Sequence, residues 1–162
     1  MVLERPSRDS LLMDTATLWS RRSTCSRAKV GCVVSRKGRI LVQGYNGAPA
    51  NLIHCSHQCI CGYSDPVYQP PEAHLSNCPF PKPCIIAVHA EANAIAYAAK
   101  VGVSLEDTEM YTTLVPCRAC SMLIINTGIT RVVYKQDYRD MSGLVILSQA
   151  FVEVVQYDKI AS

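Results

Sequence analysis

The sequence predicts an α/β fold, a sheet covered by helices on both faces. Three observations carry the prediction. From His89 onward, helical and extended patterns alternate along the chain. Before it, two short apolar runs flank a turn and read as a hairpin. An opening segment of 3.6-residue periodicity supplies a further helix. Alternation of this kind favours parallel strand pairing with helices packed over the sheet.

The elements follow in order. Arg8 to Arg22 reads as the opening helix, because Leu12, Ala16 and Trp19 fall at i, i+4, i+7 and Ser7 is a ready N-cap. Val30 to Val34 is a short apolar strand. Ser35 to Arg39 is the turn, and Ile40 to Gly44 the second strand. His89 to Lys100 is a helix rich in alanine, which lets a neighbouring element approach closely. Met110 to Thr113 is a strand. Cys117 to Asn126 is a helix stopped by Gly128. Thr130 to Tyr134 is a strand, Ser142 to Gln149 a weaker helix, and Phe151 to Gln156 the last strand. The expected order is α-β-β-α-β-α-β-α-β, within one domain spanning residues 1–162.

Composition excludes several classes. With 49% hydrophobic and 18% charged residues, and a mean hydropathy of +0.10, the 162-residue chain has enough apolar surface to fold. No apolar run approaches the roughly 18 residues of a membrane span. The first residues lack the apolar core of a signal peptide, so a cytoplasmic location is expected, with no membrane partner. The net charge of +3 suits an anionic small molecule without demanding nucleic acid. Nine cysteines, an odd number without a secretion signal, point to metal ligands, catalytic groups or core positions rather than disulfides.

Two motifs carry the chemistry. His89-Ala90-Glu91 and Pro116-Cys117-Arg118-Ala119-Cys120 each stand at the expected start of a helix. Cys-x-x-Cys in a first helical turn puts two sulfurs on one side, within reach of one zinc ion, and the helix dipole favours their thiolates. His89 supplies a third, neutral ligand. Three protein ligands leave a tetrahedral position open to water, whose pKa zinc lowers. Two thiolates nearly cancel the charge of the ion, so the site needs a base close by. Glu91, two residues past the histidine, reaches the water without binding metal and moves its proton to the ring nitrogen and the departing amine. The combined pattern is that of zinc-dependent nucleobase deaminases.

The chain resembles the cytidine deaminase superfamily, and within it the deoxycytidylate (dCMP) deaminase branch. The resemblance rests on Arg22-Ser-Thr-Cys25, Lys29-Val-Gly31, Gly44-Tyr-Asn-Gly47, His89-Ala-Glu-Ala-Asn-Ala-Ile95, Met110-Tyr-Thr112, Pro116 to Cys120 and Gly128 to Tyr134. It implies a three-layer α/β/α fold with a mixed five-stranded sheet, and hydrolysis of dCMP to dUMP and ammonia. It carries zinc to His89, Cys117 and Cys120, and proton transfer to Glu91. It also assigns substrate contacts to Asn46, to the backbone of Ala90 and to Val115 before Pro116. Relatives of this kind form homo-oligomers, many of them hexamers, with dCTP and dTTP as effectors. A nucleotide needs a cationic phosphate site, for which Arg27 is the first candidate, ahead of Lys29 and Arg118. Tyr134 and Tyr138 are candidates for closing the pocket.

Between Cys55 and Cys84 the composition changes. This insert holds six of the nine prolines and five of the nine cysteines. Proline at that density forbids helix and interrupts strands, so the segment needs another source of order. A second, structural zinc would supply it. By resemblance to relatives that carry one, its ligands are Cys25, Cys55, Cys61 and Cys84, with Cys78, Cys59 or His57 able to replace one of the four. Cys32, inside a strand, is a small core residue. Two other functions compete: a polynucleotide deaminase using the same metal chemistry, and a non-catalytic zinc module. The chain lacks the basic stripe interleaved with aromatics that single strands favour. A structural site has no use for the acid at Glu91.

Overall fold

A computed structural model describes residues 5–25, 28–52, 54 and 87–159. Its elements are α1 (Arg8–Ser20), β1 (Gly31–Arg36), β2 (Arg39–Tyr45), α2 (Ala90–Val101), β3 (Thr108–Leu114), α3 (Arg118–Asn126), β4 (Ile129–Gln136), α4 (Ser142–Gln149) and β5 (Glu153–Gln156), closed by a short 3-10 turn at Tyr157–Lys159. Their order is the one expected. The insert, with Cys55, Cys61 and Cys84, lies outside the described residues, and so does Arg27.

Local chemistry explains the boundaries. Ser7 caps α1, its Oγ accepting from the Ser10 amide at 3.1 Å. Lys37 and Gly38 both have positive φ (52° and 78°), the geometry of a two-residue type I′ turn, so the β1–β2 hairpin closes more tightly than the expected Ser35 to Arg39 turn, with Ser35, Arg36 and Arg39 paired in the strands. The first four strands run longer than their apolar cores suggested, β4 in particular reaching Gln136, whereas β5 starts at Glu153, two residues later than expected, because Phe151 takes a positive φ of 60°.

The five strands form one mixed sheet in the order β2-β1-β3-β4-β5. β1 is antiparallel to β2 and β3, whereas β3, β4 and β5 are parallel. Alternation along the strands builds two cores. Val33, Tyr111 and Val133 face α1, packing on Leu12, Met13 and Ala16. Cys32, Val34, Met110 and Val132 face the other way, into a core with Ala94, Ala98, Ile124 and Leu147 from α2, α3 and α4. Among the described residues, one helix therefore covers one face and three the other. Cys32 is fully buried, as a core residue should be, and burial pushes its thiol up.

A polar clamp fixes α1 on the sheet. Arg131 of β4 grips Asp9 with two hydrogen bonds of 3.0 and 3.2 Å, and the Tyr111 hydroxyl lies 2.6 Å from the same carboxylate. The Arg131 hydrogen bonds hold Asp9 below the usual carboxylate range. The other end of α1 is set by close approach. A Cβ on Gly31 would run into the Ala16 carbonyl oxygen and the Ser20 amide nitrogen. Among the described residues no helix is long and apolar enough to cross a membrane.

Gly31→Ala should force α1 away from β1 and destabilise the fold by about 1–3 kcal/mol. Gly47→Ala, whose new methyl among the described residues meets Thr24 Oγ1 alone, at an ordinary 3.6 Å, should stay within about 0.5 kcal/mol of wild type. Urea denaturation of the two variants checks the contrast.

Candidate active site

The site forms where two helices begin. β3 ends at Leu114, and Val115 is held by its amide to the Gln136 carbonyl oxygen at 2.9 Å, which delivers Pro116 and Cys117 to the start of α3. α2 begins after an antiparallel bridge between Gly47 and Val88, with amide-to-carbonyl distances of 3.1 and 2.9 Å. His89 and Cys117 are the N-cap residues of α2 and α3, both with extended backbone, and neither side chain makes a capping hydrogen bond. That position usually belongs to a serine, threonine, asparagine or aspartate bonded back to the helix. Here it carries ligand-type side chains turned toward each other.

Cys117 Sγ and Cys120 Sγ lie 3.4 and 3.5 Å from His89 Nδ1. The three ligand atoms fall within 4.8 Å of one another. A tetrahedral zinc with its usual bond lengths needs nitrogen–sulfur edges of about 3.6 Å. The donor set fits the ion in chemistry and in spacing. The two thiols polarise each other. Hydrogen bonds from Cys120 and then His89 hold the Cys117 thiol down to about 3, while its partnership with Cys117, with burial, pushes Cys120 up. A metal ion would hold both as thiolates.

Glu91 sits in the first turn of α2, 3% exposed. Burial, the largest influence, pushes its carboxyl up to about 7, against the opposing pull of its own backbone amide and of His89. A buried acid next to a metal-ligand group is a costly arrangement for a purely structural site.

A cavity of about 150 Å³ opens over these groups. His89, Ala90, Glu91, Cys117, Asn46, Leu114 and Val115 all line it. Three of the substrate-contact candidates, Asn46, Ala90 and Val115, therefore meet at the same cavity as the metal group. Tyr134 does not join them. It is 6% exposed and absent from the lining, because β4 runs two residues past it and keeps it inside the sheet. Tyr138, the first aromatic beyond the strand, lines the cavity instead, with the Arg139 guanidinium 5.5 Å from its ring centre. Arg118 and Lys29 are exposed, and neither lines the cavity.

Some of the wall was not foreseen. Ala28 and Val30 line the cavity, and so does Cys25, which is 7% exposed. Asn46 holds this strap from its side chain: Oδ1 accepts from the Val30 amide and Nδ2 donates to the Ala28 carbonyl oxygen, both at 2.8 Å. Such contacts depend on the register of β1 against β2, for which short motifs carry no signal.

Comparison with known proteins agrees with this geometry. The family model described as cytidine and deoxycytidylate deaminase zinc-binding region matches residues 6–136. Deoxycytidylate deaminase of Saccharomyces cerevisiae is 36% identical over 160 residues, 96% of this chain and 46% of that protein. The enzyme of the same name from Mycobacterium phage D29 is 39% identical over 141 residues, 83% of this chain and 99% of that protein. This chain thus spans about half of the yeast relative and nearly all of the phage one. Among solved structures, dCMP deaminase from cyanophage S-TIM5, in complex with dCMP and dUMP, superposes with a TM-score of 0.76 at 31% identity, over 94% of this chain and 98% of that one. A tRNA:A34 deaminase shares the fold alone, with a TM-score of 0.57 at 18% identity. The chain, with its zinc-ligand group at two facing helix N-termini, belongs to the cytidine and deoxycytidylate deaminase family.

Proposed function

We propose that this chain catalyses the zinc-dependent hydrolysis of dCMP to dUMP and ammonia. The observation that carries the reading is the buried carboxyl of Glu91 lining one cavity with His89 and Cys117, two members of the three-ligand group that Cys120 completes. The relatives from phage D29 and cyanophage S-TIM5, each matched over nearly its whole length, bear the name of an enzyme acting on deoxycytidylate.

The residues divide the work. His89 Nδ1 and the sulfurs of Cys117 and Cys120 hold the ion. When bound, zinc acts as a Lewis acid that makes water acidic enough to attack at neutral pH. Glu91 accepts the proton of the attacking water on a carboxylate oxygen and delivers it to ring nitrogen N3. It then takes the second proton from the new 4-hydroxyl and passes it to the 4-amino group, which leaves as ammonia while the oxygen remains as the 4-carbonyl. Asn46 keeps one hydrogen and one lone pair beyond its bonds to the strap, and these face the sugar. The backbone of Ala90 and Val115 orients the base. Tyr138 closes the mouth of the cavity.

Arg27 binds the phosphate through a bidentate fork. A second zinc, held by Cys25, Cys55, Cys61 and Cys84, orders the insert. The contact between Thr24 Oγ1 and His54 Nδ1 (3.4 Å) supports it, since it draws the chain just before Cys55 to the loop that carries Cys25.

Glu91→Gln should lower the rate of ammonia release at least about 10²-fold with bound zinc unchanged; a turnover near wild type would remove the proton-shuttle role. Arg27→Ala should raise KM for dCMP about tenfold or more and leave deoxycytidine within about twofold, since it deletes a charge-assisted contact to a group the nucleoside lacks. Metal analysis should find about two zinc ions per chain, falling to about one in Cys84→Ser with the deaminase activity of the folded protein retained.

A further inference from the structure

Glu91 reacts with a base that also meets Asn46 and Val115 in the same cavity, so the placement of α2 relative to these residues matters to the chemistry. The helix rests closely on Gly44, where a Cβ would strike the Ala90 carbonyl oxygen and the Ala94 amide nitrogen. That contact sets how near α2 lies to β2, and a hydrogen bond adds the direction that apolar contact lacks.

A directional contact lies one residue further on. Asn93, one turn into α2, donates from Nδ2 to the carbonyl oxygen of Tyr45 at 2.9 Å. Its own amide bonds to the carbonyl oxygen of His89 at 2.9 Å. Asparagine is a poor residue for a helix interior, so its presence there calls for a reason in tertiary structure. Tyr45 begins a run of three residues that reach three different parts of the cavity. Tyr45 takes the bond from the catalytic helix. Asn46 clamps Ala28 and Val30 through its side chain, and its amide donates to the Val30 carbonyl oxygen at 3.1 Å. Gly47 pairs with Val88, next to the ligand His89. The substrate wall, the metal-binding N-terminus and the proton-carrying helix are all referred to one tripeptide, and Asn93 makes the side-chain bond that ties α2 to it.

We propose that Asn93 is a positioning residue for the deamination: its amide fixes the register of α2 on the Tyr45–Gly47 hub and thereby holds Glu91 at working distance from the bound base. It touches neither substrate nor metal. Since the strap, Asn46 and Val115 do not depend on this bond, substrate binding survives its loss, whereas a displacement of Glu91 by a fraction of an ångström slows the chemical step.

This inference rests on the deaminase reading, and the test separates the two. Wild type, Asn93→Ala, Asn93→Asp and Asn93→Gln are compared for kcat and KM on dCMP, for zinc content and for thermal midpoint. Asn93→Asp keeps the shape and removes the donor. Asn93→Gln keeps the donor on a longer stem. The expected result is a fall in kcat of about 10- to 100-fold for Asp and Ala, with KM within about threefold, zinc content unchanged and partial recovery in Gln. A kcat near wild type in Asn93→Asp overturns the proposal, and so does a loss seen in KM alone or one that follows zinc loss or unfolding. If wild type releases no ammonia from dCMP while it binds zinc, the functional reading fails and this one with it. An active wild type with indifferent Asn93 variants removes this one alone.

Discussion

The approach of two helix N-termini, α2 and α3, is the constraint from which the site follows. The α2 start is pinned beside the end of β2 by the Gly47–Val88 bridge, and the α3 start follows the carboxyl end of β3. Their N-cap positions hold His89 and Cys117, whose side chains converge because they are released from capping. Cys120 adds a second sulfur from within the first turn of α3. Both helices direct their partly positive ends at this point, which favours thiolate at the cysteines and suits an electron-rich ligand group. An ion bound there cross-links β2, β3 and two helices. The metal group thus bears on the shape of the substrate cavity as well as on the chemistry.

The surrounding fold serves to make that approach close. Gly31 lets α1 lie against β1, and Gly44 lets α2 lie against β2. The mixed sheet also has a functional consequence. Antiparallel pairing on the β2 side brings the Asn46 loop to the same end of the sheet as the carboxyl ends of the parallel strands β3 and β4. Substrate wall and metal ligands therefore meet at one end, the usual place for ligands in open α/β sheets. The Arg131–Asp9–Tyr111 cluster holds α1 on the opposite face, away from the chemistry.

Much of this is legible in the chain before any coordinates. Sequence patterning finds the four described helices and five strands in order, most of which bury an apolar face or, like β1, are buried on both sides, but not the closing 3-10 turn. Two short motifs with ligand spacing identify His89, Cys117, Cys120 and Glu91, because the chemistry needs those residue types so close together. What escapes is set by tertiary register. The sequence offers Tyr134 and Tyr138 alike as pocket candidates, and only the pairing of β4 with β3, which runs on to Gln136, separates Tyr134 within the strand from Tyr138 at the cavity. The place of Cys25 in the wall, and the double bond of Asn46 to the strap, likewise depend on how β1 sits beside β2. The insert and Arg27 lie outside the described residues, so their metal and phosphate roles stand on chemistry and on resemblance.

The most direct measurement is a crystal structure of the zinc-loaded protein with anomalous diffraction at the zinc edge. The account predicts an ion held by His89 Nδ1 and the sulfurs of Cys117 and Cys120, its fourth position facing the cavity and the Glu91 carboxyl within hydrogen-bonding distance of whatever small ligand fills it. A fourth protein side chain on that ion, or Glu91 itself as a ligand, would contradict it.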